Sequence, residues 1–417
     1  MAPKYRADID GLRAIAVISV LLFHAKVGPF TGGYVGVDVF FVISGYLITS
    51  IIIREMRNGT FSYGDFYERR FRRIVPALAV VVLVSGIAGL LIFDAESLVD
   101  LGESIAANAI FSSNMLFHSE SGYFDGPAEL KPLLHTWSLA IEEQFYIFIP
   151  IVLMFALRSG QNKLNRYLLV ITVLSFALNI IGMNYNVSAT FYLLPMRAWE
   201  LLLGSLLALS LLPQLTSSTS RNVISCCGLA AIFCSVLLFS PETSFPGIAA
   251  VLPTAGAALI IYSGMHGVSL VGRMLSLKPI VFIGLISYSL YLWHWPILLF
   301  FKAYSITEIS LNQTLGLMAF ILGISILSYH YIEKPFRRKT LLSNRQSVMR
   351  ATSATSVVAL LIGSIFIFTD GLPHRFESTY SPAEIAGDPE WERWGLCEKM
   401  SRQGEGGGDF CLIGTPD

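Results

Sequence analysis

The chain has 417 residues, of which 54% are hydrophobic and only 14% are charged. Soluble domains carry about a quarter charged residues, so this composition argues against a soluble globular protein. The formal net charge is 0, which gives no indication of nucleic-acid binding, and we predict no nucleic-acid partner.

The hydrophobic residues lie in long blocks separated by short polar segments, the pattern of helices that cross a bilayer in about 20 residues. We predict an all-α, polytopic membrane helix bundle of about ten transmembrane helices, with an additional eleventh transmembrane helix and a short extracytoplasmic tail. The predicted spans are 10–27, 33–56, 73–93, 138–157, 165–182, 190–211, 222–239, 247–264, 280–302, 312–332 and 351–369.

The first span contains an apolar run, AIAVISVLLF, of only ten residues, with Arg13 at one end and His24 at the other. Eleven residues are almost three helical turns, so both side chains fall on one face, about 16 Å apart. Charged groups within a span are functional candidates because they cost several kcal/mol unless paired or hydrated. Two readings stay open: anchors that reach the membrane surfaces, or a polar stripe facing an internal cavity.

The second span contains Asp38 in the run GGYVGVDVFFVISGYLI. This carboxylate lies within or close to the bilayer, where it is predicted to pair with an arginine or with His24. The glycines of the run allow another helix to approach closely.

The third span is preceded by YERRFRRIVP, which holds Arg69, Arg70, Arg72 and Arg73. Basic residues at the cytoplasmic end of a span are ordinary topology signals. Guanidinium groups also match phosphate geometry. The run therefore also indicates a cytoplasmic, phosphate-bearing cosubstrate.

The fourth span begins with HTWSLAIEEQFY. His135 and Glu142 are seven residues apart and share a helix face, whereas Glu143 points about 100° away. We predict that one of these acids orients or charge-stabilises His24 at the outer end of the bundle.

Later spans carry further polar groups. Arg197 and Glu200 are spaced for an internal ion pair. His294 lies near Pro296 in SYSLYLWHWP, where a helix kink and an aromatic lining are favoured over catalysis. Glu333 is predicted to pair locally with Arg337 or Arg338.

Cys226, Cys227 and Cys234 lie in an apolar block and are predicted to be small buried hydrophobic residues. We find no metal-ligand cluster of convincing spacing, so no metal is predicted.

Loop charges predict the orientation. Loop 54–73 holds six arginines, and loop 334–350 holds six lysines or arginines and no acid, whereas segment 94–137 carries seven acids and one lysine. Because basic loops stay in the cytoplasm, the N-terminus is predicted inside and the tail outside. Cys397 and Cys411 of the tail would suit a disulfide in an oxidising compartment.

Together these motifs resemble the acyltransferase-3 family of bacterial membrane acyltransferases. The resemblance runs in order through DIDGLRAIAV, VGVDVFFVISGYLI, ERRFRRIVP, HTWSLAIEEQFY, RAWELLLG, SYSLYLWHWP and HYIEKPFRR, over residues 5–340. It implies a multi-pass enzyme of the bacterial inner membrane that transfers an acyl group, usually acetyl from acetyl-CoA. The implied acceptor is an extracytoplasmic carbohydrate such as O-antigen, another surface polysaccharide or a lipid-linked sugar.

The resemblance also implies site residues. His24 matches the essential histidine of the family and Arg13 its paired arginine. The predicted catalytic residues are His24, Arg13, Glu142, Glu143 and Asp38, and the predicted acetyl-CoA-binding residues are Arg69, Arg72 and Arg73. Whether His24 acts as a general base or carries the acyl group itself is left open.

The predicted domains are an acyltransferase-3 transmembrane domain at 1–340, an eleventh helix with its cytoplasmic lead-in at 341–370, and a periplasmic linker at 371–417. The last two resemble the subgroup fused to an SGNH-type domain, which we expect beyond residue 417. Intramembrane charges leave two alternatives to an enzyme: a proton-coupled transporter and a flippase-like scaffold for lipid-linked sugars.

Overall fold

The computed structural model describes residues 5–121, 130–158, 160–305 and 309–376. Every regular element in these ranges is a helix, which confirms the all-α prediction. The α-helices are α1 (Ala7–His24), α2 (Gly36–Arg57), α3 (Tyr63–Ile92), α4 (Ala95–Ala109), α5 (Ser113–Ser119), α6 (Thr136–Arg158), α7 (Gln161–Tyr185), α8 (Val187–Tyr192), α9 (Leu194–Ala208), α10 (Ser218–Leu238), α11 (Val251–Ser263), α12 (Leu270–Leu275), α13 (Lys278–Tyr304), α14 (Leu311–Ser328), α15 (Lys334–Arg337) and α16 (Arg345–Phe368). A π-helix, Tyr329–Glu333, joins α14 to α15.

Nine helical stretches in the described ranges are long and apolar enough to cross a membrane, which confirms a polytopic membrane protein. The other two predicted spans correspond to α1 and α11. Helix α1 has 18 residues but carries Asp8, Asp10 and Arg13, and α11 has only 13 residues. At 1.5 Å per residue, α11 alone is shorter than a hydrocarbon core of about 30 Å.

Helix α1 lies inside the bundle, packed against α2, α12 and α13. A Cβ atom on Gly36 of α2 would collide with the carbonyl oxygen of Ala16, and one on Gly284 of α13 with that of Asp10. Backbones this close leave little freedom for the helices to shift. The packing therefore fixes the polar face of α1 relative to α13.

Helices α2 and α9 form a second close pair. Gly45 of α2 abuts the carbonyl of Leu201, and Gly204 of α9 abuts that of Val42. The Thr49 hydroxyl donates a hydrogen bond of 2.7 Å to the Ser205 hydroxyl across the same seam. The prediction that glycines of the second span permit close helix approach is confirmed.

Helix α3 begins ten residues before the predicted span 73–93. The Ser62 hydroxyl caps it by accepting a hydrogen bond from the Asp65 amide, 3.4 Å away. The arginine run therefore lies on a continuous helix of 30 residues rather than in a loop. Each of its side chains has a fixed direction, and neighbours point about 100° apart.

The acidic segment after α3 is not simply an outer loop. Helix α4 runs back along α3, where Leu101 lies against Gly89 and Ile105 against Gly86. It also packs closely on α16. Helix α5 then contacts α6, and the Gln144 amide donates to the Asn114 side chain at 2.8 Å. This re-entrant segment was not predicted because α4 is too short and too polar to read as a span.

The prediction that Cys226, Cys227 and Cys234 are buried is wrong, because all three are exposed on α10. Their exposure follows from the position of α10 near the edge of the bundle, where only one stripe, including Gly228 and Ile232, faces inward. Cys397 and Cys411 lie outside the described residues, as does most of the tail 371–417. The predicted domain boundaries and the SGNH-type domain stay predictions.

Candidate active site

Three histidines from separate parts of the chain meet in the bundle. His24 ends α1, His294 lies in α13, and His135 immediately precedes α6. The His24 Nδ1 atom is 3.1 Å from the His294 Nε2 atom, and the two rings stack with centroids 5.2 Å apart. The His135 ring meets His294 edge-on at 5.6 Å.

Residues 131–135 are anchored over this cluster by α13. The Trp295 ring packs edge-on against His24 at 4.6 Å, and its indole N–H donates to the Lys131 carbonyl at 2.8 Å. The buried Lys131 ammonium lies 2.7 Å from Glu120. Burial raises the pKa of the Glu120 carboxyl above its usual value.

A cavity lies next to the histidine cluster, between α1, α2, α3, α6 and α13. Its polar lining consists of Arg13, Ser44, Arg70, Arg73, Ser138, Glu142, Tyr146, Ser287, Tyr288 and Tyr291.

Tyr291 connects the cavity with the histidines. It lines the cavity, and its ring lies 5.3 Å from that of His294 and 5.5 Å from that of His135. Its hydroxyl donates to the His135 carbonyl at 2.8 Å and lies 2.7 Å from the Ser138 hydroxyl. Tyr291 and Ser138 thus lie between the cavity and the histidines.

Three arginines give the cavity its positive charge. Arg13 is held 3.2 Å from Asp10. Arg70 packs over the rings of Phe66 and Tyr146, each 5.9 Å away. Neither Arg70 nor Arg73 has a hydrogen-bond or ion-pair partner among the described residues. Guanidinium groups that make no direct ion pair in a cavity are suited to bind an anionic ligand, although the carboxyl group of Glu142 lines the same cavity.

The structure corrects the prediction that Arg72 binds the cosubstrate. Its side chain is 2% exposed, and its Nε atom donates to Glu68 at 2.9 Å. Its four remaining N–H groups are directed at backbone carbonyls, so no donor is left for a phosphate. The acceptors are the carbonyls of Phe336, Leu341, Ser343 and Asn344. Arg69 is also paired, because its Nη2 atom lies 2.9 Å from each of the two carboxylate oxygens of Glu55.

The predicted contact between the acids of α6 and His24 is wrong. Glu142 lines the cavity and accepts a hydrogen bond of 2.8 Å from Tyr146. Glu143 is buried and does not line the cavity, and its Oε1 atom has no partner among the described residues. The reason is that Glu142 and His24 lie at different depths in the bundle. His135 is at the level of His24, and Glu142 lies about 10 Å further along the chain direction of α6.

Asp38 pairs with an arginine, one of the two partners predicted for it, and it does not line the cavity. Its Oδ1 atom lies 2.8 Å from Arg197, which is 3.2 Å from Glu200, and all three side chains are at most 1% exposed. The predicted pair of Arg197 with Glu200 is confirmed, and the partner of Asp38 is Arg197 rather than His24. Aromatic rings surround the Arg197 guanidinium, those of Phe41, Trp137, Phe191 and Phe245.

Sequence reasoning missed His294, His135, Arg70 and Tyr291 as site residues. The available signal was the stripe in SYSLYLWHWP, where Tyr291 and His294 are three residues apart on one face of a helix. The predicted local pair of Glu333 is confirmed, with Arg337 at 2.8 Å. Within the described ranges, no group of three or more His, Cys, Asp or Glu side chains is placed to hold a metal ion.

A family model described as an acyltransferase domain, acyltransferase-3, matches residues 6–330, well over half of the chain. The chain belongs to the acyltransferase-3 family. Both the cavity and the histidine cluster lie within the matched residues, so they are features of the acyltransferase-3 domain.

This acyltransferase-3 family member is also similar to curated proteins of Staphylococcus aureus. It is 31% identical to the O-acetyltransferase OatA of strain MRSA252 over 391 residues, 88% of this chain and 64% of that protein. It is 33% identical to a putative O-acetyltransferase of strain MSSA476 over 356 residues, 81% of this chain and 58% of that protein. The chain thus spans about three fifths of the length of these relatives. No solved structure matches it.

Proposed function

We propose that this chain is a membrane O-acetyltransferase. It moves an acetyl group from cytoplasmic acetyl-CoA to an extracytoplasmic carbohydrate, such as O-antigen or another surface polysaccharide. The observation that carries the proposal is the arginine-lined cavity beside a histidine whose imidazole faces a second histidine. The relatives described as O-acetyltransferases support acetyl as the transferred group.

The proposed orientation has the N-terminus in the cytoplasm of a bacterium, with the chain in its inner membrane. Arg72 of the arginine run binds the carbonyls of the basic segment 334–350, so these two basic regions lie at one end of the bundle. Basic segments stay on the cytoplasmic side. His24, about 16 Å further along α1 than Arg13, then lies toward the outside.

The donor is proposed to enter from the basic end. Acetyl-CoA carries several phosphate charges, and Arg70 and Arg73 are the cavity guanidinium groups without a hydrogen-bond or ion-pair partner in the part of the chain that the structure describes. Arg13 and Glu142 line the same cavity, and we assign them to holding the donor rather than to orienting His24. The acyl end of the donor then lies toward Tyr291 and the histidines.

The proposed reaction joins the acceptor hydroxyl to the acetyl carbon and breaks the bond between that carbon and sulfur. In direct transfer, His24 takes the hydroxyl proton and returns it to the departing thiolate. In the alternative, His24 accepts the acetyl group and passes it to the hydroxyl. Both routes need a ring nitrogen of His24 with a free lone pair.

Membrane vesicles that contain the protein test this function. Acetyl-CoA labelled on the acetyl group is supplied on the cytoplasmic face, and base-labile label is measured in the surface polysaccharide. We expect label in the polymer with the native protein and none with vesicles that lack it. An unlabelled polymer, together with proton flux that depends on the protein, would instead indicate that the protein is a proton-coupled transporter.

The arginines provide a second prediction. Arg73→Gln removes a cavity charge that has no ion-pair partner among the residues described. We therefore expect the KM for acetyl-CoA to rise about 10- to 100-fold, as for the loss of a charged hydrogen bond. Arg69→Gln, four residues away on the same helix, is the matched control and should change KM less than about threefold, because Arg69 is paired with Glu55. Equal KM values for the two variants would remove Arg73 from the donor site.

A further inference from the structure

A second hydrogen bond made by His294 determines which of the two rings donates in the hydrogen bond between His24 and His294. His294 Nδ1 lies 2.5 Å from the carbonyl oxygen of Tyr291. A carbonyl oxygen only accepts, so the proton of His294 is on Nδ1. A neutral imidazole has one N–H, which makes His294 Nε2 an acceptor. His24 Nδ1, 3.1 Å from that atom, is therefore the donor.

This assignment leaves the Nε2 atom of His24 with its lone pair free. We propose that His294 is a positioning residue that holds His24 in the Nδ1–H tautomer, with Nε2 available as base or nucleophile. The inference rests on the proposed function for its chemistry, but the tautomer itself is a property of the folded protein. A hydrogen bond to one ring nitrogen sets which tautomer the other nitrogen presents.

Neighbouring contacts hold rigid the two hydrogen bonds that connect His24, through His294, to the Tyr291 carbonyl. Tyr291 is part of α13, and its hydroxyl is bound to the His135 carbonyl and lies 2.7 Å from Ser138. The Trp295 ring packs edge-on against His24, which opposes rotation of the imidazole. His294 is 1% exposed, so water does not compete for its Nε2 atom.

His135 belongs to the same cluster but not to this relay. Its ring contacts His294 and Tyr291, yet neither of its ring nitrogens has a hydrogen-bond partner among the described residues. It is a buried histidine in the same surroundings that makes no hydrogen bond to His24. His135→Phe is thus a matched control for the tautomer of His24.

The direct test is nitrogen NMR of the full chain in lipid nanodiscs with ¹⁵N-labelled histidine, using His24→Gln to assign the His24 signals. We expect a protonated Nδ1 and an unprotonated Nε2 on His24. His294→Phe should shift His24 toward the Nε2–H tautomer, and His135→Phe should not. A native His24 that carries its proton on Nε2 overturns the inference, whether or not any variant folds.

A kinetic test separates positioning from packing. His294→Gln keeps a side-chain oxygen that can accept from His24 Nδ1, whereas His294→Phe does not. We expect kcat for acetyl transfer to fall about 10²- to 10⁴-fold in His294→Phe with KM for acetyl-CoA unchanged, as for a triad histidine that loses its orienting partner. His294→Gln should recover at least tenfold of that loss.

The two possible failures are distinguishable. Native kcat in a folded His294→Phe protein overturns the positioning role. If the native protein transfers no acetyl group, the proposed function fails, and the NMR measurement still decides the tautomer.

Discussion

Replacement of His24 by alanine is expected to lower acetyl transfer to the polysaccharide by at least about 10³-fold. A positioned acid or base contributes about 10²- to 10⁴-fold, and a covalent role would add to that. Since His24 does not line the arginine cavity, acetyl-CoA affinity should stay within about twofold of native. The measurements are label incorporation into polymer and equilibrium binding of acetyl-CoA.

A matched control for this variant is His118→Ala. His118 lies in α5 and its Nδ1 atom is 2.9 Å from the Ser188 hydroxyl, so it is a hydrogen-bonded histidine outside the cavity and the cluster. We expect it to retain native activity. Native activity in His24→Ala would exclude His24 from the chemistry, whereas a parallel loss of acetyl-CoA binding would show that the change disturbs the donor site instead.

Arg197→Leu is expected to destabilise the protein by about 3–5 kcal/mol. The change leaves the carboxylates of Asp38 and Glu200 buried without their cation, and breaking a buried pair from one side costs about that much. The measurement is reversible unfolding in detergent micelles. Arg345→Leu is the matched control, because its pair with Asp65 is about half exposed and should contribute at most about 1 kcal/mol.

A triple variant then distinguishes charge from packing. Asp38→Asn and Glu200→Gln, combined with Arg197→Leu, remove the unpaired charges, so we expect most of the lost stability to return. If the triple variant is no more stable than Arg197→Leu, the contribution of Arg197 lies in its packing among aromatic rings rather than in its charge.

The polar face of α1 was predictable because it depends only on helix geometry. Arg13 and His24 share a face at a known separation wherever the helix packs. Arg197 and Glu200 were predictable for the same reason. In each case both partners are on one helix, and the periodicity of that helix is visible in the sequence.

The partners of these residues were not predictable, because they depend on distant parts of the chain. His294 is 270 residues from His24, and nothing local indicates that their rings stack. Arg72 and Arg73 are adjacent and chemically identical, yet Arg72 is bound by the segment after α15 and Arg73 faces the cavity. Only the position of that segment decides which arginine is available to a ligand.

The Tyr291 and Ser138 side chains, which lie between the arginine-lined cavity and the histidines, have an electrical consequence for the proposed function. If water from the cytoplasm fills the cavity, the insulating part of the bundle is shortened to the region around these two side chains. The transmembrane voltage, worth about 2.3 kcal/mol per unit charge at 100 mV, would then fall mainly across that region rather than across the full bilayer. Proton transfer at the proposed base His24 would therefore depend on the membrane voltage.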